Sequence, residues 1–134
     1  MTWWLLAVAF VLVVGVFLVA RNRLLLVTVN GDSMTPDLCR GDVVLVRRSR
    51  RTNTGDIALL RLDATTVPMV KRVVAVAGEP VPAELRQAVA LPVVPAGTVV
   101  IRGTTTDSLD SRRLGPVQVS RVVGVVIAVV RRAA

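Results

Sequence analysis

The sequence predicts a mostly β domain preceded by one transmembrane helix. The first observation behind this is an uninterrupted apolar run from Trp3 to Ala20. As a helix it rises about 27 Å, enough to span a hydrocarbon core with little tilt. Trp3 and Trp4 suit one membrane interface, and Arg21 and Arg23 suit the other. No basic side chain precedes the run, and Leu18-Val19-Ala20 is not a small-x-small cleavage pattern. An uncleaved anchor is therefore expected rather than a removed signal segment. The second observation is the change of texture at Leu24. From there valine dominates, apolar segments are short, and Gly, Pro, Asp and Thr punctuate them. The expected division is an anchor over 1–23 and a β-rich domain over 24–134.

Strands are expected over 24–30, 42–48, 57–62, 67–77, 98–102 and 119–130. The pieces RGDVVLVRR and TGDIALLRL each read as a turn followed by a strand; two such hits do not make a repeat architecture. Residues 79–97 hold four of the seven prolines and read as a loop with one helical turn. The run VVGVVIAVV over 122–130 is too short to span a membrane as a helix and reads as a buried terminal strand.

Composition removes several chemistries. Hydrophobic residues make up 53% and charged residues 19%, with no histidine and one cysteine. A Ser-His-Asp triad, a Cys-His pair and a Cys/His zinc site cannot be built from this chain alone. Cys39 has no partner for an internal disulfide. No metal or cofactor is expected. The net charge of +8 points to an anionic membrane surface rather than nucleic acid, given the apolar run. Among the 17 basic residues Lys71 is the only lysine. Arginine stays protonated, whereas burial can neutralise lysine.

Two residues stand out as a chemical pair. Asn30-Gly31-Asp32-Ser33-Met34-Thr35-Pro36 is turn-forming on both flanks and places Ser33 at an exposed bend. In VPMVKRVVAVAGE, alternation puts Met69, Lys71 and Val73 on one face. Desolvation among apolar neighbours lowers an amine pKa, so Lys71 could accept a serine proton. A local hydrogen-bonding role for Ser33 and a structural role for Lys71 are the plainer readings, and spacing alone does not bring the two together.

Four segments in order resemble the conserved boxes of bacterial type I signal peptidases: Gly31–Pro36, Arg40–Val44, Val70–Glu79, and Ser108–Arg112 followed by Gly115-Pro116-Val117. The resemblance runs from about residue 30 to residue 124 and implies a minimal, single-anchor serine–lysine endopeptidase with a signal-peptidase-like β-sheet domain. It implies Ser33 as nucleophile, Lys71 as general base and Ser108 as the hydroxyl orienting the Lys71 amine. The Ser33 backbone N–H would serve the oxyanion hole. Gly31 occupies the position where some members add a serine hydroxyl as second donor. Asp110 and Arg112 would form a supporting ion pair. The approach to the last box departs from the usual Gly-Asp-Asn, reading Gly103-Thr104-Thr105-Thr106-Asp107, and is shortened. The implied partners are the signal peptides of exported preproteins, with small residues before the cleaved bond, and membrane lipid. The implied location is the plasma membrane, single-pass, with the catalytic domain on the extracytoplasmic face. Arg21 and Arg23 taken alone would put that end in the cytoplasm.

Two other readings compete. A self-cleaving protein of the SOS-repressor type would share the chemistry, but a membrane segment stands where its soluble arm would be. A non-catalytic basic β-module on an anchor, binding lipid or a partner protein, would leave Ser33 and Lys71 dispensable.

Overall fold

The computed structural model describes residues 2–134. Helix α1 (Trp3–Arg23) is apolar on every side and buries none of its residues against the rest of the chain. A helix of that kind has no protein core to face and is satisfied by a hydrocarbon surround. Its cap residue Leu24 is already extended and opens strand β1 (Leu24–Thr28), so anchor and sheet join without a loop.

The remaining strands are β2 (Val43–Arg48), β3 (Ile57–Leu60), β4 (Met69–Val76), β5 (Thr98–Arg102), β6 (Val117–Gln118) and β7 (Val122–Arg131). They form one seven-stranded sheet in the order β1-β2-β7-β3-β4-β5-β6, antiparallel at every pairing. The mostly β expectation with one N-terminal helix is met, and most expected strands shorten by one to three residues at their ends. Strand β6 was not anticipated; two residues carry no periodic signal.

The C-terminal run behaves differently from the expectation of a buried strand. It lies inside the sheet between β2 and β3, and Val122, Gly124 and Val125 are buried. Its second half is not: Ile127, Ala128 and Val130 are exposed. Pairing supplies hydrogen bonds along its edges, but no element covers the outer face there. Register shifts between Val43 and Val44 and between Leu45 and Val46 accompany this change. The proline-rich loop also holds more helix than one turn. A 3₁₀ turn (Ala83–Leu85) runs into α2 (Arg86–Val89), and Val81, Leu85, Val89 and Val94 pack with Ala75 and Val100.

Two features position the segment after β1. Met34 and Leu38 are fully buried with Val29, Val44, Val46, Leu59 and Val70, so the bend at Ser33 is pinned by its next residue. The far end of that segment is tied by Asp42, which is 1% exposed. Its carboxylate accepts the Ala133 N–H at 2.7 Å, the Cys39 N–H at 2.9 Å and an Arg132 guanidinium N–H at 3.2 Å. The Ala133 N–H, then the Cys39 N–H, hold the Asp42 carboxyl below its ordinary range against the opposing effect of burial.

The register also relates the anchor to the interior. Leu24 pairs with Arg47, Arg47 with Val125, Val125 with Ala58, and Ala58 with Lys71. Lys71 thus lies in the same cross-strand row as the first residue after the anchor, about 19 Å away along the sheet.

A carboxyl depressed on folding stabilises the native state above its unfolded pKa, about 3.9, and loses that contribution as pH falls through the folded value. Thermal unfolding of wild type should therefore decline more steeply between about pH 4 and pH 2 than that of Asp42→Asn. Parallel declines would mean that Asp42 does not hold the strap.

Candidate active site

Ser33 follows β1 in a run of turns, and Lys71 is the third residue of β4. Lys71 is 3% exposed, on the face it shares with the buried Val73 and Ala75. Its Nζ lies 2.6 Å from Ser33 Oγ and 2.7 Å from Ser108 Oγ. Ser108 is buried as well. Among the described residues no carboxylate lies within ion-pair distance of this amine. Burial lowers the Lys71 pKa; Asp110 opposes that shift and Arg112 reinforces it.

Asp110 is fully buried and could have acted as a counter-ion that keeps Lys71 charged. It is occupied elsewhere. Arg112 grips it with two side-chain bonds, Nε to Oδ1 at 3.0 Å and Nη2 to Oδ2 at 2.8 Å. The Gly103 N–H donates to Oδ2 at 2.8 Å, and the Arg112 N–H to Oδ1 at 3.0 Å as the cap of α3 (Ser111–Leu114). Burial pushes the Asp110 carboxyl up, but these bonds, led by the Arg112 side chain, bring it below its ordinary range. The pair therefore stays charged and largely self-neutralised beside the amine.

The approach to Ser108 passes Ser33 closely at Gly103. A Cβ there would lie 2.1 Å from Ser108 Oγ and 2.7 Å from the Ser33 carbonyl oxygen. Only a residue without a side chain lets the Ser33 and Ser108 segments meet at this point. Thr104 then fastens them together: its N–H donates to the Ser33 carbonyl at 2.6 Å, and its hydroxyl to the Ser33 and Thr35 carbonyls. The Ser33 N–H has no acceptor among the described residues. Gly31 is exposed, and a Cβ there would meet nothing within 4 Å.

Ser33 stands between two clefts. One is apolar, with Val27–Gly31 on one wall, Val67–Val70 on the other and Leu59 at its base. For β1 and the start of β4 to face each other in this way, the sheet must roll. The other cleft is polar and is lined by Asp32, Thr105, Asp107 and Ser108.

All the residues singled out in sequence except Gly31 have a defined partner or contact in this cluster. Sequence reasoning missed Thr104, the buried Ser111 that accepts the Ile101 N–H at 2.8 Å, and Arg72, whose Nη2 donates to Asp37 at 2.8 Å. Threonine and serine between boxes carry no pattern of their own. Arg72 lies within the box around Lys71 but carried no signal of its own there.

The site is thus a buried amine facing a serine hydroxyl at a cleft in a seven-stranded antiparallel sheet. Comparison with known families agrees: the profile described as signal peptidase, peptidase S26, matches residues 1–88. The chain belongs to that family. The matched span includes Ser33 and Lys71 but ends before Gly103, so the Ser108–Arg112 cluster rests on geometry and on the sequence resemblance. No curated protein matches the chain. Among the described residues one helix is long and apolar enough to cross a membrane, which together with this family fits a single-pass membrane protein.

Gly103→Ala should reduce peptide cleavage by at least about 100-fold, because about 1 Å of displacement can cost that much. The fold should survive, as judged by circular dichroism. Cleavage near the wild-type rate would mean that Ser33 and Ser108 do not depend on that close approach.

Proposed function

We propose that the chain is a membrane-bound serine endopeptidase that removes N-terminal signal peptides from exported preproteins, with Ser33 as nucleophile and Lys71 as general base. The observation that carries this reading is the buried Lys71 amine, 2.6 Å from Ser33 Oγ and, among the described residues, without a carboxylate partner. A lysine retained for stability is expected to have a counter-ion or water; a desolvated amine facing a hydroxyl is suited to accept its proton.

The steps follow from that arrangement. Neutral Lys71 Nζ takes the Ser33 hydroxyl proton as Oγ attacks the scissile carbonyl carbon. Ser108, the second neighbour of Nζ, holds the amine lone pair toward Ser33. The Ser33 N–H donates to the oxyanion as charge develops there. Lys71 returns the proton to the departing amine, and the C–N bond breaks to leave an acyl group on Ser33 Oγ. Water then loses a proton to Lys71 and attacks the ester, and Ser33 is regenerated as that proton returns to Oγ. Asp110 and Arg112 support the loop and do not exchange protons with substrate. The open space at Gly31 fits a chain that works without a side-chain oxyanion donor at that position.

Substrate recognition follows from the clefts. The free edge of β1 offers backbone hydrogen bonds to an extended peptide, whose alternate side chains then point the same way. Val27, Val29, Leu59 and Val70 leave shallow apolar room, which supports small residues at the first and third positions before the bond. The polar cleft on the far side of Ser33 receives the departing chain. Exported substrates place the domain on the extracytoplasmic face of the plasma membrane. Arg21 and Arg23 at the end of the span carry the contrary bias, but two arginines are a modest one, partly offset by the α-amino group at the other end.

Lys71→Arg keeps the charge but cannot deprotonate. It should lower cleavage of a preprotein carrying an Ala-x-Ala site by about 10²–10⁴-fold. Adding Ser33→Ala should cost far less than a second independent loss, because members of one catalytic unit fail together. Wild-type kcat/KM should rise with pH to a midpoint below about 10.4. A folded Lys71→Arg protein cleaving at near wild-type rate would end this mechanism.

A further inference from the structure

We propose that the elbow between α1 and the β1–β2 edge is a binding site for an anionic phospholipid. It rests on α1 being a membrane span and is independent of the chemistry at Ser33.

The register builds the elbow. Because Leu24 pairs with Arg47, the end of β2 returns to the base of the anchor. Arg21 and Arg23 lie in the last turn of α1, Arg47 and Arg48 close β2, and Arg50 and Arg51 follow in the next loop. All six are exposed. Among the described residues none of the six has a carboxylate within ion-pair distance, and none donates a side-chain hydrogen bond. Elsewhere among the described residues five arginines, Arg40, Arg72, Arg102, Arg112 and Arg132, each pair with an Asp or Glu, whereas the unpaired Arg61, Arg86, Arg113, Arg121 and Arg131 are scattered along the chain rather than gathered at one junction. Fixed cations gathered by the fold without internal counter-ions call for an external anion.

The same elbow contains an apolar hollow lined by Phe17, Ala20, Leu24, Leu25, Leu26 and Leu45, with Arg21 at its rim. Leu26 is 67% exposed there, although it sits in a strand. Inorganic phosphate would gain nothing from such walls. A glycerophospholipid uses both parts: an acyl chain lies along Phe17 and the leucines, and the headgroup phosphate meets Arg21 and Arg47. The surrounding guanidiniums then favour a headgroup with net negative charge, since a zwitterionic headgroup brings its own cation into the cluster. Phosphatidylglycerol-type headgroups satisfy this and phosphatidylcholine does not. The hollow lies on the membrane side of the sheet, where the span leaves the bilayer, so the lipid needs no extraction.

The test uses the full chain in mild detergent, titrated with phosphatidylglycerol or phosphatidylcholine of identical acyl chains, with retained lipid counted by native mass spectrometry. Wild type should retain phosphatidylglycerol at roughly tenfold lower lipid concentration. Arg21→Gln with Arg47→Gln should abolish the preference. Arg113→Gln with Arg131→Gln, an equal loss of charge away from the elbow, should keep it, and so should Ser33→Ala. Equal retention of both lipids by wild type would overturn the proposal. So would equal loss in the two double variants, or displacement of the bound lipid by inorganic phosphate. If the elbow variant does not fold, the comparison of the two lipids on wild type still decides, with and without phosphate.

Discussion

The architecture around the cleft depends on one constraint: an amine must be held out of water without a counter-ion. Burying Lys71 disfavours its charged form, and any carboxylate in contact would restore it. Asp110 is the carboxylate buried closest in function to this problem, and the fold spends most of its polar bonds here on keeping it engaged. Arg112 takes both oxygens, and the Gly103 and Arg112 N–H groups complete the shell. The pair is therefore more than a brace. It allows a charged loop to be built beside Lys71 while its net field on the amine stays small.

That constraint also explains why the cleft is assembled from distant parts of the chain. Ser33 comes from the bend after β1, Lys71 from the first half of β4 and Ser108 from the segment before α3. Met34 sinks the bend into the core, Thr104 ties it to the Ser108 segment, and Asp42 fastens its far end to the chain after β7. A serine and an amine at 2.6 Å require each of these restraints to agree. The rolled sheet supplies the frame, since β1 and β4 are not neighbours in strand order yet face each other across the cleft.

Much of this was readable from residues. The alternation from Met69 to Val73 places Lys71 on the buried face, and the absence of histidine leaves few bases available. The anchor and most strands follow from apolar runs and turn residues. Strand order was not readable, because valine-rich segments of similar length do not encode their neighbours. The half-exposed β7 was misjudged for a related reason: an apolar run states what a strand tolerates, and neighbours decide whether its face is covered. Thr104, Ser111 and the Asp42 strap escaped because single hydroxyls and carboxylates acquire roles only when the fold brings an unpaired N–H or carbonyl to them.

The central claim is that Lys71 is neutralised by burial in the resting protein. Lys71 is the only lysine, so lysine labelled with ¹³C at Cε gives one side-chain resonance from the whole chain. Its chemical shift, followed against pH in detergent-solubilised Ser33→Ala protein, reports the charge of this amine and nothing else. The account predicts titration well below the free lysine value of about 10.4, and a midpoint that moves upward in Arg112→Gln as Asp110 loses its partner. A midpoint at or above about 10.4 in the folded protein would contradict it.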